Sequence, residues 1–354
     1  MPINPYDTAI LLASIEAQPP VHSFLRDRYF PTGNVFSTEK VFVEYKDGNK
    51  KIAPFVSPRV NGVTMTRDGS TLREFQPAHI APKRVLTADD LQKRGFGEAL
   101  FGNLTPEQRA LAITTQDMIE LQKMINIREE KMAADVIFTN KLTMQEYGTD
   151  PEHPVEKEVR FYTEATNPAQ YTISAANKWD TSAAKGQQII NDLHAMIKIL
   201  TKRGLSATEA ICSPDVADVI INNEYIQKLL DNRRIELGGL NPEELPAGVV
   251  KVARLNVKGH LIDILSYDEE YTDLDGTTKA FVPAKTLAVG AANAGQTVYG
   301  AITQLEDDKQ FHTYTGTSVP KVEASGNVRS VILSSAPLTI PTNKNPFVVA
   351  QALA

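Results

Sequence analysis

"TPEQRALAITTQDMIELQKMINIREEKMAADVIFTNK", residues 105–141, contains no glycine and no proline beyond Pro106. The stretch predicts one uninterrupted helix of roughly ten turns at 3.6 residues per turn. Thr105 stands where an N-cap belongs, and Pro106 suits the first turn, where its missing N–H leaves nothing unpaired. Leu111, Met118, Leu121, Ile125, Met132 and Val136 recur at threes, fours and sevens and form an apolar stripe. Glu120, Lys123, Arg128, Glu129 and Lys131 are expected to cover the remaining surface. The stripe is expected to pack on a sheet of its own domain rather than in a coiled coil, which makes the helix a beam.

The chain before this beam has a different character. "NPYDTAILLASIEAQPP" predicts a short helix with Asp7 as N-cap, Ile10, Leu11 and Ile15 at helical spacing, and Pro19-Pro20 as its stop. "STEKVFVEY" then alternates as a strand. "IAPFVSPRVNGVTMTRDGSTLREFQPAHIAPKRV" strings β-prone runs between Asn-Gly, Asp-Gly and prolines. Nine of the 21 prolines fall in the first 82 residues, where X-Pro geometry keeps the backbone out of helix. Large apolar residues are too few there for a separate core, yet strand propensity is too high for a disordered linker. Two strands standing alone bury too little surface, so this hairpin is expected to find its partner on another molecule.

After the beam, "DPEHPVEKEVRFYTEATNPAQYTIS" reads as a hairpin and "IINDLHAMIKILTKRG" as a helix ending at Gly204. "TEAICSPDVADVIINNEYIQKLLDNRR" reads as a strand followed by helices begun at Ser213-Pro214. "GHLIDILSYDEEYTDLDGTTKAFVP" reads as a hairpin, with mostly strand beyond it. The mixture is α+β.

Composition excludes several classes of function. The 354 residues, 42% hydrophobic and 23% charged, can bury a sizeable core. No stretch reaches the length of apolar sequence that crosses a bilayer, and no Lys or Arg precedes Arg26, so no membrane partner or signal peptide is expected. Cys212 is the single cysteine, which rules out an intramolecular disulfide and fits a reducing compartment. A net charge of −6 would repel nucleic acid in bulk rather than gather it.

Motifs of chemistry are equally scarce. The chain lacks a phosphate-cradling Gly-Lys-Ser/Thr loop, G-x-G-x-x-G after a strand, H-E-x-x-H and G-x-S-x-G. Gly95, Gly97 and Gly102 have the wrong spacing for a dinucleotide and are read as a turn. The six histidines never pair at i, i+3 or i+4, which argues against a metal. "DEEYTDLDG" puts Tyr271 and Val282 where a calcium loop needs charge, so a hairpin turn at Asp275-Gly276 is the simpler reading. Cys212 on an apolar strand is expected to be a buried thiol, and Trp179 a packing anchor. No catalytic, cofactor-binding or metal-binding residue is assigned, and the chain is not read as an enzyme.

Several segments, in order, carry a resemblance: "FSTEKVFVE", "VSPRVNGVTMTRDGSTLREFQPAHIAPK", the long helix leading into "NKLTM", "NKWD", "LLDNRR", "FVPAKTLAVG" with "TVYG", and "SSAPL" with "PFVVAQALA". The ordered set, spread over nearly the whole chain, resembles the major capsid proteins of lambda-like tailed bacteriophages, the capsid protein E family. The block from Val56 to Lys83 is its most distinctive part. The resemblance implies the tailed-phage major capsid fold: an N-terminal arm over 1–45, an extended loop over 46–86, a peripheral domain over 87–180 and 326–354 with a spine helix at 105–141, and an axial domain over 181–325. It implies contacts between subunits through the extended loop, at Val56, Val60, Val63, Met65, Arg67, Arg73 and Phe75. It also implies that Phe347, Val348, Val349 and Leu353 form a C-terminal core strand in a peripheral sheet, made with 142–180 beneath the spine helix.

The implied partners are other copies of the chain in hexamers and pentamers, a separate scaffolding protein, a decoration protein at three-fold sites near residues 20 to 65, a portal, and packaged double-stranded DNA held without sequence-specific contact. The implied location is the virion capsid, assembled in the bacterial host cytoplasm. Some shells of this fold are crosslinked between a Lys and an Asn, but no buried acidic catalyst can be mapped here and no crosslink is expected. A bacterial compartment shell of the same fold is the nearer alternative, separable by its cargo. A soluble enzyme assembled from distant residues is the further one, and it leaves the proline-rich third unexplained.

Overall fold

The computed structural model describes residues 23–38, 41–46, 70–89, 105–148, 154–181, 186–230, 238–239, 243–245, 248–306, 309–326 and 328–354. The helix expected after Asp7, and Val56, Val60, Val63, Met65 and Arg67, lie outside them.

A short helix α1, Phe24–Tyr29, precedes the beam α2, Pro106–Thr139. At the start of α2 the Thr105 hydroxyl accepts from the Gln108 N–H at 3.3 Å, and the Gln108 side chain accepts from the Thr105 N–H at 3.1 Å. This reciprocal cap satisfies two amides that a helix start otherwise leaves open. Asn140 ends the helix with φ of 56°, the left-handed stop that Asn tolerates. The intervening 34 residues span ~51 Å.

The stripe on α2 serves two cores. Met118, Leu121 and Ile125 bury against Val331 and Leu333, on a three-stranded sheet of Lys83–Thr87, Val328–Ser334 and Val319–Ser325. Met132, Ala133, Val136 and Ile137 belong to the main core, with Leu25, Tyr29 and Phe30 of the α1 segment. Two expectations differ. Leu111 is 42% exposed, because the three-stranded sheet packs further along the helix, while Glu129 is only 2% exposed.

The central layer is an eight-stranded mixed sheet. Its order runs Glu243–Leu245, Val249–Val257, His260–Tyr267, Glu209–Cys212, Thr286–Gly290, Val348–Gln351 and Gln170–Tyr171, with Gly238–Gly239 also on Val249–Val257. Strand alternation separates its two faces. Ile211, Ala288 and Val349 point to the core of α1 and α2, whereas Ala210, Leu287, Val289 and Val348 point to a second core. That second core is closed by α3, Gly186–Arg203, α4, Pro214–Ile221, and α5, Glu224–Leu230. Strands buried on both faces read as unbroken apolar runs, which is why "FVVAQALA" has no polar alternate before Gln351.

The C-terminal strand pairs, as expected, within 142–180, at Gln170–Tyr171, and Phe347 and Val349 share the core under α2; its other neighbour, Thr286–Gly290, comes from the expected axial segment, so the sheet continues past the expected peripheral region. Among the described residues Lys141–Glu146 pairs with Val155–Arg160 alone. A strand with two apolar faces needs cover on both sides, which an outlying hairpin cannot supply. Phe347, Val348, Val349 and Leu353 are all buried, the ring of Phe347 lying against Gly290, where a Cβ would come within 2.2 Å of it.

Other readings can be placed too. Asp275-Gly276 sits in the turn between Glu270–Thr272 and Thr278–Ala280, with Gly276 at φ of 79° and Lys279 2.5 Å from Asp273. Trp179 is buried and donates its indole N–H to Asp192 at 3.0 Å. Cys212 is buried, and burial pushes its thiol pKa up to about 12.

Candidate assembly surfaces and the arm clamp

Val41–Lys46 pairs with Ser70–Phe75 in strict antiparallel register, from Val41 opposite Phe75 to Lys46 opposite Ser70. The pairing forms the root of the long excursion between them. Phe75 is not free at that root: it is buried, 5.9 Å from the ring of Phe161, in a groove of about 640 Å³ shared with Met144, Lys157 and Arg160. Arg73 lies opposite Val43 in the same ladder. Downstream, Arg84 reaches Asp117 at 3.5 Å and also pairs with Glu120, so the far end of the excursion is fastened to α2.

The near end is fastened by carboxylates that sequence reasoning missed. Glu130 on α2 accepts from the backbone N–H of Leu25 at 2.7 Å and of Arg26 at 2.9 Å, and from the Tyr267 hydroxyl at 3.0 Å. It acts as an N-terminal cap for α1, supplied from 105 residues away. Glu129 receives the Arg26 guanidinium at 2.6 Å and a hydrogen bond from Tyr299. Glu209 takes Arg28 through two nitrogens, at 2.8 and 2.5 Å, and Tyr29 at 2.7 Å. A six-residue helix has no stability of its own, so these contacts and the burial of Leu25, Tyr29 and Phe30 hold it.

Burial raises the pKa of Glu129 and Glu130 above the ordinary carboxylate value despite their partners, and lifts Tyr267 and Tyr299 as well. The signal was present in the sequence. Glu129 falls between Ile125 and Met132 on the apolar stripe, where a charge demands a buried partner. The partner could not be named, because Arg26 stands 103 residues away.

Nothing in this arrangement resembles a reaction centre. The buried carboxylates are all engaged in holding chain to chain, and no group of three or more His, Cys, Asp or Glu among the described residues is placed to hold a metal. Residues 7–352 match the profile of the family described as phage major capsid protein E.

The chain belongs to the phage major capsid protein E family. It is 27% identical to the major capsid protein of Enterobacteria phage phi80 over 349 residues, covering 97% of this chain and 98% of that one. It is 26% identical to the major capsid protein of Escherichia phage lambda over 353 residues, covering 98% of each. Among solved structures it is similar to a capsid protein assigned to a prophage of Escherichia coli CFT073, with a TM-score of 0.66, 21% identity, and coverage of 98% of this chain and 99% of that one. The fold is that of tailed-phage capsid proteins, and this capsid protein is a structural component of the virion shell, not an enzyme.

Proposed function

We propose that this capsid protein closes into hexamers and pentamers of an icosahedral head around double-stranded DNA, with an arm, an extended loop, and peripheral and axial regions in the roles given above. The family match carries the reading, and the paired root at Val41–Lys46 and Ser70–Phe75 supports it. A two-stranded ribbon is marginal alone, and laying it across a neighbour supplies backbone partners by strand addition. Val56, Val60, Val63, Met65, Arg67, Arg73 and Phe75 are the proposed contacts, with Phe75 acting from the base. The buried α1 segment argues that this part of the proposed arm is held to its own subunit. Head-to-tail contacts of this kind close into rings. Contacts that are individually weak become strong in number and let misplaced subunits leave.

A separate scaffolding protein, a decoration protein, a portal and assembly in the host cytoplasm complete the proposal. The acidic balance of the chain suits an inner wall along which DNA slides. Negative-stain microscopy of the purified protein over rising concentration, alone and with a crowding agent, tests the reading. Shells, tubes or six-fold rings are expected, and a uniform monomer even with scaffold present refutes it.

A further inference from the structure

The outer face of α3 carries a ridge of positive charge within an acidic protein. Lys198 and Lys202 are exposed on it, with His194 one turn before Lys198. The tight turn between Val249–Val257 and His260–Tyr267 adds to the ridge: Lys258, at φ of 51°, donates to Asn191 on α3 at 2.7 Å, and the rings of His260 and His194 lie 6.0 Å apart. Burial first, then the neighbouring Lys198, Lys258 and His260, hold the His194 pKa down, with no carboxylate among the influences. Like charges gathered without a counter-ion among the described residues repel one another, so an anionic surface is the partner they fit.

Such a surface lies on the neighbouring helices. Asp215 and Asp218 are exposed on α4, and Glu224 is exposed at the start of α5. The α4–α5 junction packs on the first turn of α3, where Gly186 is required because a Cβ would sit 2.2 Å from Asn223 and 2.3 Å from Tyr225. The ridge runs along α3 from Asn191, where Lys258 attaches, to Lys202, a rise of ~17 Å. Among the described residues no ion pair joins Lys198, Lys202 or Lys258 to Asp215 or Asp218, so the two patches do not satisfy each other within one chain.

We propose that the basic ridge of Lys198, Lys202 and Lys258, flanked by His194 and His260, docks on the acidic face of Asp215 and Asp218 in a second copy of the chain. The inference rests on the reading that copies assemble head to tail. It adds the surface that sets which side of one subunit meets which side of the next. Two different patches of opposite sign on one subunit give a heterologous contact, and electrostatic complementarity of this kind acts on register and rate of association.

The test is a charge exchange, read by sedimentation and microscopy of the full-length protein beside wild type. Lys198→Glu with Lys258→Glu is expected to raise the concentration needed for assembly by about tenfold or more, and Asp215→Lys with Asp218→Lys to do the same. Mixing the two variants is expected to restore much of the wild-type assembly, because each supplies the face the other has inverted. Unchanged thermal unfolding of the unassembled variants shows that folding is not the cause. Failure of the mixture to assemble, or normal assembly of either variant alone, overturns the inference while wild-type shells leave the capsid reading standing. Normal shells of the lysine variant that have lost affinity for duplex DNA also overturn it, in favour of a phosphate partner.

Discussion

Replacing Glu130 by alanine removes three hydrogen bonds at once, from the Leu25 and Arg26 amides at 2.7 and 2.9 Å and from the Tyr267 hydroxyl at 3.0 Å. The donors left behind lie in a region where Leu25 and Tyr267 are buried, so water does not readily replace the carboxylate. A buried donor left without its charged acceptor costs about 1–3 kcal/mol. Three together, allowing for relaxation of a short helix, give about 3–5 kcal/mol for seating α1. The assay is amide exchange of the unassembled protein. Protection of residues 24–30 is expected to fall by about two to three and a half orders of magnitude, at 1.4 kcal/mol per factor of ten. The main core should change less, because Met132, Val136 and Ile137 keep their contacts with the large sheet. Glu130→Gln keeps one acceptor and should fall between wild type and alanine. Protection of 24–30 within threefold of wild type in Glu130→Ala would refute the clamp.

The remaining predictions concern the same clamp and the C-terminal strand. Glu130 has its pKa raised by burial, so its proton-linked stabilisation is fully present below the ordinary glutamate value and fades as pH rises through the raised one. The stability of wild type minus that of Glu130→Gln, from urea midpoints, should therefore fall as pH rises above the ordinary glutamate value, and a rising difference would contradict this. Gly290→Ala places a methyl 2.2 Å from the Phe347 ring and should cost about 1–3 kcal/mol by overpacking, read as a lower Tm; an unchanged Tm means the ring is not confined as described. Deleting residues 345–354 removes the strand between Thr286–Gly290 and Gln170–Tyr171 and is expected to leave insoluble protein. A soluble truncation that unfolds cooperatively and assembles would sink that expectation.

The long helix was legible because periodicity, the missing glycines and the Thr105-Pro106 start all agreed, and its capping box follows from the same residues. Leu111 misled because periodicity gives the direction a face points, not how far along the helix a partner sheet extends. The second neighbour of the C-terminal strand, Thr286–Gly290, was hidden for a related reason: an apolar run announces burial on both faces but not every strand that flanks it. The α1 segment was the largest omission. "FLRDRY" holds three charged residues in six positions, a pattern that does not announce a core helix, yet Leu25 and Tyr29 are fully buried, with Arg26 and Arg28 turned onto carboxylates contributed by α2 and Glu209–Cys212. Those pairings join residues more than a hundred positions apart, and pattern within a window does not reach that far.

The fastenings lie on one helix: Arg84 on Asp117 and Glu120, and the α1 amides on Glu130. Mechanically α2 is a single spar to which two distant parts of the chain are moored, ~15–20 Å apart along its axis. Whatever displaces the spar carries α1 and Lys83–Thr87 with it, so a push on one mooring is felt at the other.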